Sequence, residues 1–258
     1  MKFSHAFFDL DGTVYLEEKL IPGIPESLWN LKQSGTQIFY ITNNTSVAVL
    51  DYYKKLNRFG LPVEDGCVIS PTLTLGNWLK ESPITYFYPV GTNAFNQELS
   101  ALSGKNISHT EPQLVVIAFD TELNYAKLKK ACELINGGIP WVSTHIDLAC
   151  PSLNGPIPDC GAIAKLISSA TNVDYVDHFG KPSKFMVQMI REISGYSTSI
   201  LVAGDRLYTD IKLGIELECT TVLVCSGEYQ LGSFIPYRGD LVQVHETLPI
   251  FLNSMRIP

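Results

Sequence analysis

Short β-rich runs alternating with longer segments of helical period constrain this chain more than any other feature it has. "FSHAFFD" leads through a Pro/Gly turn into the amphipathic "PESLWNLKQSG", with Gly35 placed as a helix stop. "TQIFYIT" then precedes "SVAVLDYYKKLNRFG", for which Ser46 is the expected N-cap and Gly60 the stop. This β-α-β-α rhythm predicts a parallel sheet with helices on its faces. It continues through the strands "ITYFYPV", "QLVVIAF" and "PWVST", with helical "NYAKLKKACELINGG" and "DCGAIAKLISSAT" among them. After "VDYVDHFGKP" come a helix from about Ser183, the strand "SILVAGD", a helix around "TDIKLGIEL" and the strand "TTVLVC". A last strand and helix run from "DLVQV" to "IFLNSM". No low-complexity segment, charge block or short repeat interrupts the pattern, so composition marks no domain boundary.

Composition narrows the function classes. At 258 residues and 45% hydrophobic content, the chain can bury a large core in one domain or two. A net charge of −7 and a pI near 5.2 oppose general binding to nucleic acid or an anionic membrane, since either needs a surplus of Lys and Arg on one face. The N-terminus reaches Asp9 before an apolar signal segment forms, and no apolar run approaches ~18 residues. The cysteines, Cys67, Cys132, Cys150, Cys160, Cys219 and Cys225, form no C-x-x-C pair and read as reduced thiols of a cytoplasmic protein. Sequons at Asn43 and Asn106 and the tripeptide "RGD" at 238–240 are then chance matches.

In open parallel sheets, ligands sit beyond the carboxyl ends of the strands. The run "AFF" ends in Asp9, "QIFYI" in Thr42 and Asn43, "ILVAG" in Asp205, and "YVDHFG" in Lys181. Within "FFDLDGTVY", Asp9 and Asp11 are two positions apart, so an extended chain would aim both carboxylates at one spot. A bound cation or a shared proton would relieve that repulsion, and an exposed strand-end turn is the plainer alternative. If the strands are neighbours, one pocket receives carboxylates, a hydroxyl, an amide and an ammonium. That set suits Mg²⁺ and a phosphate group: the ion takes one or two carboxylates, Lys181 offsets the dianion, and Thr42 and Asn43 donate to its oxygens. Gly12 would let the ligand approach the backbone.

Taken in order, "DLDGT", "ITNN", "GKPS" and "GDRLYTDI" resemble the four motifs of the haloacid dehalogenase superfamily, Mg²⁺-dependent aspartyl-phosphate enzymes. With "YLEEKLIPG", "TNNTS" and "GKPSKFM", the chain is similar nearly end to end to the p-nitrophenyl-phosphatase and sugar-phosphate-phosphatase branch. The resemblance implies a Rossmann-like core from residues 1–82 and 179–258, with an α/β cap inserted at 83–178. It makes Asp9 the nucleophile on phosphorus and a metal contact. Asp11 becomes the acid that protonates the leaving oxygen, then the base that activates water, with its backbone carbonyl on the metal. Thr42, Asn43 and Lys181 would hold the phosphoryl oxygens, Asp205 would bind Mg²⁺, and Asp210 would support the metal from behind. The paired aspartates thereby divide in-line attack from proton transfer.

One departure from the branch bears on substrate choice. Related caps carry Thr-Asn-x-Asp where this chain reads "STHIDL", with His145 in place of Asn and Asp147 retained. "PDCGAI" at 158–163 also resembles a cap segment near the substrate. His145 and Asp147 are therefore candidates for substrate selection, with a satisfied loop histidine as the alternative for His145. The expected partner is a small phosphate ester, with neither nucleic acid nor membrane, and caps of this kind can supply a homodimer interface. A non-catalytic homologue that binds a phosphorylated metabolite is the second functional expectation. A receiver domain needs only ~120 residues and no cap, and no G-x-G-x-x-G follows the first strand for a nicotinamide enzyme.

Overall fold

The computed structural model describes residues 3–152, 154–230, 232–233 and 242–255. The chain forms two compact units, one from Met1–Thr42, Val49–Ile69 and Met186–Pro258, the other from Asn43–Ala48 and Ser70–Phe185. The "RGD" tripeptide lies outside the described residues.

The first unit is built on a six-stranded parallel sheet. His5–Asp9 lies inside it, flanked by Gln37–Ile41 and Ile200–Gly204; Val68–Ile69 extends the sheet beyond the former, and Thr220–Val224 and Val242–His245 beyond the latter. Alternation along the strands explains why both faces are apolar. Ala6, Phe8, Tyr40, Leu201 and Ala203 pack with Leu28, Leu31 and Leu56 on one side. Phe7, Ile41, Ile200 and Val202 pack with Met186, Ile190 and Leu213 on the other. A parallel sheet buried on both faces needs this near-continuous apolar run, because each successive residue enters a different core. Chain order departs in opposite directions on the two sides of His5–Asp9, which makes the carboxyl end of that strand a topological switch point.

The second unit repeats the plan on a smaller scale. Tyr86–Val90, Asn106–Ile107, Leu114–Ile117 and Trp141–Ser143 form a four-stranded parallel sheet. Tyr88, Val115, Ile117 and Trp141 pack with Ile135, Ile163 and Ile167, whereas Phe87, Val116 and Val142 pack with Leu75, Leu79 and Phe95 on the opposite face. The helices Tyr125–Asn136 and Cys160–Thr171 begin at Asn124 and Asp159, whose side chains accept the backbone N–H of Lys127 and Cys160.

Two local expectations meet different chemistry. Gly35 and Gly60 adopt the left-handed conformation just past Ile24–Gln33 and Val49–Arg58, as helix stops should. Ser46 does not cap the second of these helices, which starts at Val49. Its backbone N–H and hydroxyl both donate to Asn44 Oδ1 instead, a local turn that outcompetes the cap. The segment around "TDIKLGIEL" opens as one π-turn at Leu207–Ile211 before the α-helix Lys212–Glu216.

Candidate active site

At the carboxyl edge of the six-stranded sheet, Asp9 closes its strand opposite Ile41, Thr42 follows Ile41, and Asp205 follows Gly204. Thr42 keeps the edge regular by donating its N–H to the Ile69 carbonyl at 3.0 Å. After Asp9 the strand gives way to a turn in which the N–H groups of Val14 and Tyr15 both donate to the Leu10 carbonyl. Thr13 thereby returns to Asp9 and donates its hydroxyl to Oδ2 at 3.1 Å. Asp11 sits on this turn, paired with Tyr15, and is more exposed than Asp9.

Asp205 and Asp210 complete the cluster. Asp210 is carried by the π-turn and accepts the Arg206 N–H at 3.1 Å, while Asp205 Oδ2 accepts the Glu228 N–H at 2.6 Å. Asp9, Asp205 and Asp210 are all buried, and one ligand atom from each lies within 4.8 Å of the others. Asp11 is outside that group. Three glycines explain how side chains fit so closely. A Cβ on Gly12 or Gly227 would overlap the Asp205 carboxylate, and a Cβ on Gly204 would overlap that of Asp210. Gly12 also has φ +92°, where an L side chain is strained.

Buried carboxylates this close repel unless a proton or cation intervenes. The oxygen donor set and its backbone hydrogen bonds fit a hard divalent ion. Such an ion would be held by Asp9 and Asp205, with Asp210 beside them.

The remaining predicted residues belong to the second unit, where one network holds them. The Asn43 carboxamide is engaged at both ends: Oδ1 accepts the Lys181 N–H at 2.8 Å, and Nδ2 donates to Asp147 Oδ2 at 3.1 Å and to the Lys181 carbonyl at 3.3 Å. A polar contact from Asn43 to a ligand would therefore come from its backbone more readily than from its amide. Phe179 and Gly180 donate their N–H groups to the Thr144 carbonyl, and Gly180 has no room for a Cβ beside Asn43 and His145. Lys181 is itself buried at 3% exposure.

His145, Asp147 and Asp159 form a second buried group, again with ligand atoms within 4.8 Å of one another. His145 Nδ1 is 3.5 Å from Asp147 Oδ2, and Nε2 is 3.4 Å from Asp159 Oδ1. Next to them the Cys160 thiol touches the hydroxyls of Ser143 and Thr144, and burial pushes its pKa up to about 11. Two residues were not singled out from the sequence. Thr13, beside Asp9, carried its signal in "DLDGT", and Asp159 lay within "PDCGAI" as an acidic residue directly before a helical run.

The chain resembles known proteins in sequence and in fold. The family described as haloacid dehalogenase-like hydrolase matches residues 6–104, and one described as HAD-hydrolase-like matches residues 178–246. The chain is 30% identical over 230 residues to the acid sugar phosphatase of Staphylococcus aureus strain USA300, covering 88% of each chain. It is 28% identical over 221 residues to the dihydroxyacetone phosphatase of Corynebacterium glutamicum strain R, covering 85% of this chain and 80% of that one. The solved structure of a 4-nitrophenylphosphatase from Thermotoga maritima superposes with a TM-score of 0.90 at 33% identity, covering 98% of this chain and 97% of that chain.

Proposed function

The chain belongs to the haloacid dehalogenase-like hydrolases and is a phosphoric monoester hydrolase of that family, and from that premise we propose that it cleaves a small sugar- or polyol-type phosphate ester with the help of Mg²⁺ through an aspartyl-phosphate. The observation that carries the proposal is the convergence of Asp9, Asp205 and Asp210 beyond the ends of parallel strands. The names of the similar proteins, which include an acid sugar phosphatase and a dihydroxyacetone phosphatase, support the substrate class.

In this mechanism Asp9 attacks phosphorus in line, and the ester P–O bond breaks as the new P–O bond to the carboxylate forms. Thr13 holds the other carboxylate oxygen of Asp9 and so limits its rotation. Asp11, on the more exposed turn, donates a proton to the departing alkoxide. It then takes a proton from the water that attacks the phosphoaspartate, which releases inorganic phosphate and restores Asp9. We assign Thr42, the Asn43 backbone and Lys181 to the phosphoryl oxygens, and Asp210 to support of the metal ligands. Mg²⁺ bound by Asp9, Asp205 and the Asp11 carbonyl would supply charge neutralisation for the transferring phosphoryl group. Residues 83–178 would act as a cap that selects the substrate and can carry a homodimer interface, and the enzyme would work in the cytoplasm.

The test is p-nitrophenyl phosphate hydrolysis before and after metal removal. Chelation should abolish turnover and Mg²⁺ should restore it. Full turnover in metal-free protein refutes the metal assignment, and no turnover with any phosphate ester of a metabolite panel favours a phosphometabolite-binding homologue.

A further inference from the structure

Phosphoryl transfer as proposed leaves one buried group unexplained. His145 has no exposed surface, yet neither ring nitrogen has a hydrogen-bond partner. Each nitrogen lies 3.4–3.5 Å from a carboxylate oxygen, longer than the ~2.7–2.9 Å of a charge-assisted hydrogen bond. A neutral imidazole has one N–H and one lone pair. With a carboxylate oxygen within 3.5 Å of each nitrogen, either tautomer leaves one lone pair close to carboxylate oxygen. A buried polar atom in that position costs roughly 1–3 kcal/mol unless something positive lies beside it.

The surroundings hold the three groups in place. Asp147 Oδ2 accepts from Asn43 Nδ2, and Asp159 Oδ1 accepts from the Cys160 N–H as the cap of Cys160–Thr171. The Gly161 N–H donates to the Asp147 carbonyl at 2.8 Å, and a Cβ at Gly161 would overlap the carbonyls of Ile146 and Asp147. The Ser143 hydroxyl donates to the His145 carbonyl at 2.7 Å. Hydrogen bonds behind the ligands and a glycine that permits close backbone approach are what a pre-organised metal site requires.

We propose that His145, Asp147 and Asp159 bind a divalent transition-metal ion of the Zn²⁺ class, separate from the Mg²⁺ expected at Asp9 and Asp205. One imidazole nitrogen with two carboxylate oxygens is a donor set that suits Zn²⁺, whereas Mg²⁺ prefers oxygen ligands alone. The ion puts positive charge against the ring lone pair and both carboxylates at once. A second proton on the ring is the competing account, and it predicts a cluster indifferent to metal.

The experiment measures retained metal. Wild-type protein and Asp205→Asn are stripped with chelator, incubated with Zn²⁺ in a large excess of Mg²⁺, passed through gel filtration and assayed by elemental analysis. Asp205→Asn should retain one zinc per chain, and its melting temperature should rise with Zn²⁺. His145→Gln in the same background should lose both effects. Asp159→Asn, which can still cap the helix, should weaken zinc binding roughly tenfold or more. If His145→Gln does not fold, the Asp159→Asn comparison carries the test. Folded Asp205→Asn that retains no zinc overturns the proposal, as does equal retention after either cap substitution. Wild-type turnover of p-nitrophenyl phosphate with Mg²⁺ is read separately, so failure here leaves the phosphatase assignment where it stood.

Discussion

The two clusters of buried groups that could hold a metal ion are built on different supports. Asp9 and Asp205 stand at the ends of neighbouring parallel strands, where ladder hydrogen bonds fix the backbone on both sides. Each carboxylate of that cluster also accepts a hydrogen bond, from Thr13, Glu228 or Arg206. His145 and Asp147 instead follow the three-residue strand Trp141–Ser143, and Asp159 comes from a helix cap. There Gly161 and Ser143 fix the backbone carbonyls of Asp147 and His145, Asn43 holds the Asp147 carboxylate, and the imidazole at the centre receives no hydrogen bond among the described residues. A sheet edge can hold charged groups as a by-product of the ladder, whereas a loop must be pinned residue by residue.

The largest expected effect separates the clusters by chemistry. Asp9→Asn keeps the size of the side chain and removes the proposed nucleophile, so turnover of p-nitrophenyl phosphate should fall by several orders of magnitude with the circular dichroism unchanged. A variant retaining a tenth of wild-type turnover would eliminate the covalent route. Asp159→Asn, measured in parallel, should leave the hydrolysis of this simple ester within a fewfold of wild type.

Glycine substitutions sharpen the comparison at the next level. Gly227→Ala places a methyl group on the Asp205 carboxylate, and the Mg²⁺ concentration for half-maximal activity should rise roughly ten- to a hundredfold. Gly161→Ala meets backbone carbonyls of Ile146 and Asp147, which cannot swing away as a side chain can. That change should cost stability, about 1–3 kcal/mol by chemical denaturation, with a much smaller effect on the Mg²⁺ requirement. Reversed outcomes would assign the Mg²⁺ requirement to the loop and not to the sheet edge.

The smallest effect concerns pH. Burial lowers the pKa of His5 and His245, which lie in the first unit on aromatic rings of Phe7, Phe39 and Phe251. The unfolded chain then binds protons more readily near pH 6.5, so the stability these residues contribute is complete above that value and lost as pH falls through their lower folded pKa. His245→Gln should flatten the decline of melting temperature between neutral and mildly acidic pH by a small margin. A steeper decline would reverse the sign of the linkage.

Much of the fold was legible because a parallel sheet imposes a visible pattern. Apolar runs such as "AFF" and "ILVAG" are buried on both faces, so their residues are apolar up to the carboxyl edge, where Asp9 and Asp205 stand. The strand-end positions of Asp9 and Asp205 were legible for that reason. The closeness of Asp159 to His145 was not, because an aspartate before a helix is ordinarily explained by capping alone, and that distance depends on the chain between them. Ser46 misled for a related reason: a serine before a helical run can cap it or bond locally, and this one bonds to Asn44 Oδ1.

The sequence by itself determined the period of each element, the helix stops at Gly35 and Gly60, and which polar groups end apolar runs. These follow from interactions within a few residues, which local chemistry decides. Tertiary structure decided that Gly12, Gly204 and Gly227 serve the carboxylates of Asp205 and Asp210, that the Asn43 amide is spent on Lys181 and Asp147, and that His145 lies between two acids. Each of these depends on groups far apart in the chain meeting at a distance of a few ångströms. No propensity or spacing records such a distance, because it is set only when both sheets and their covering helices have packed.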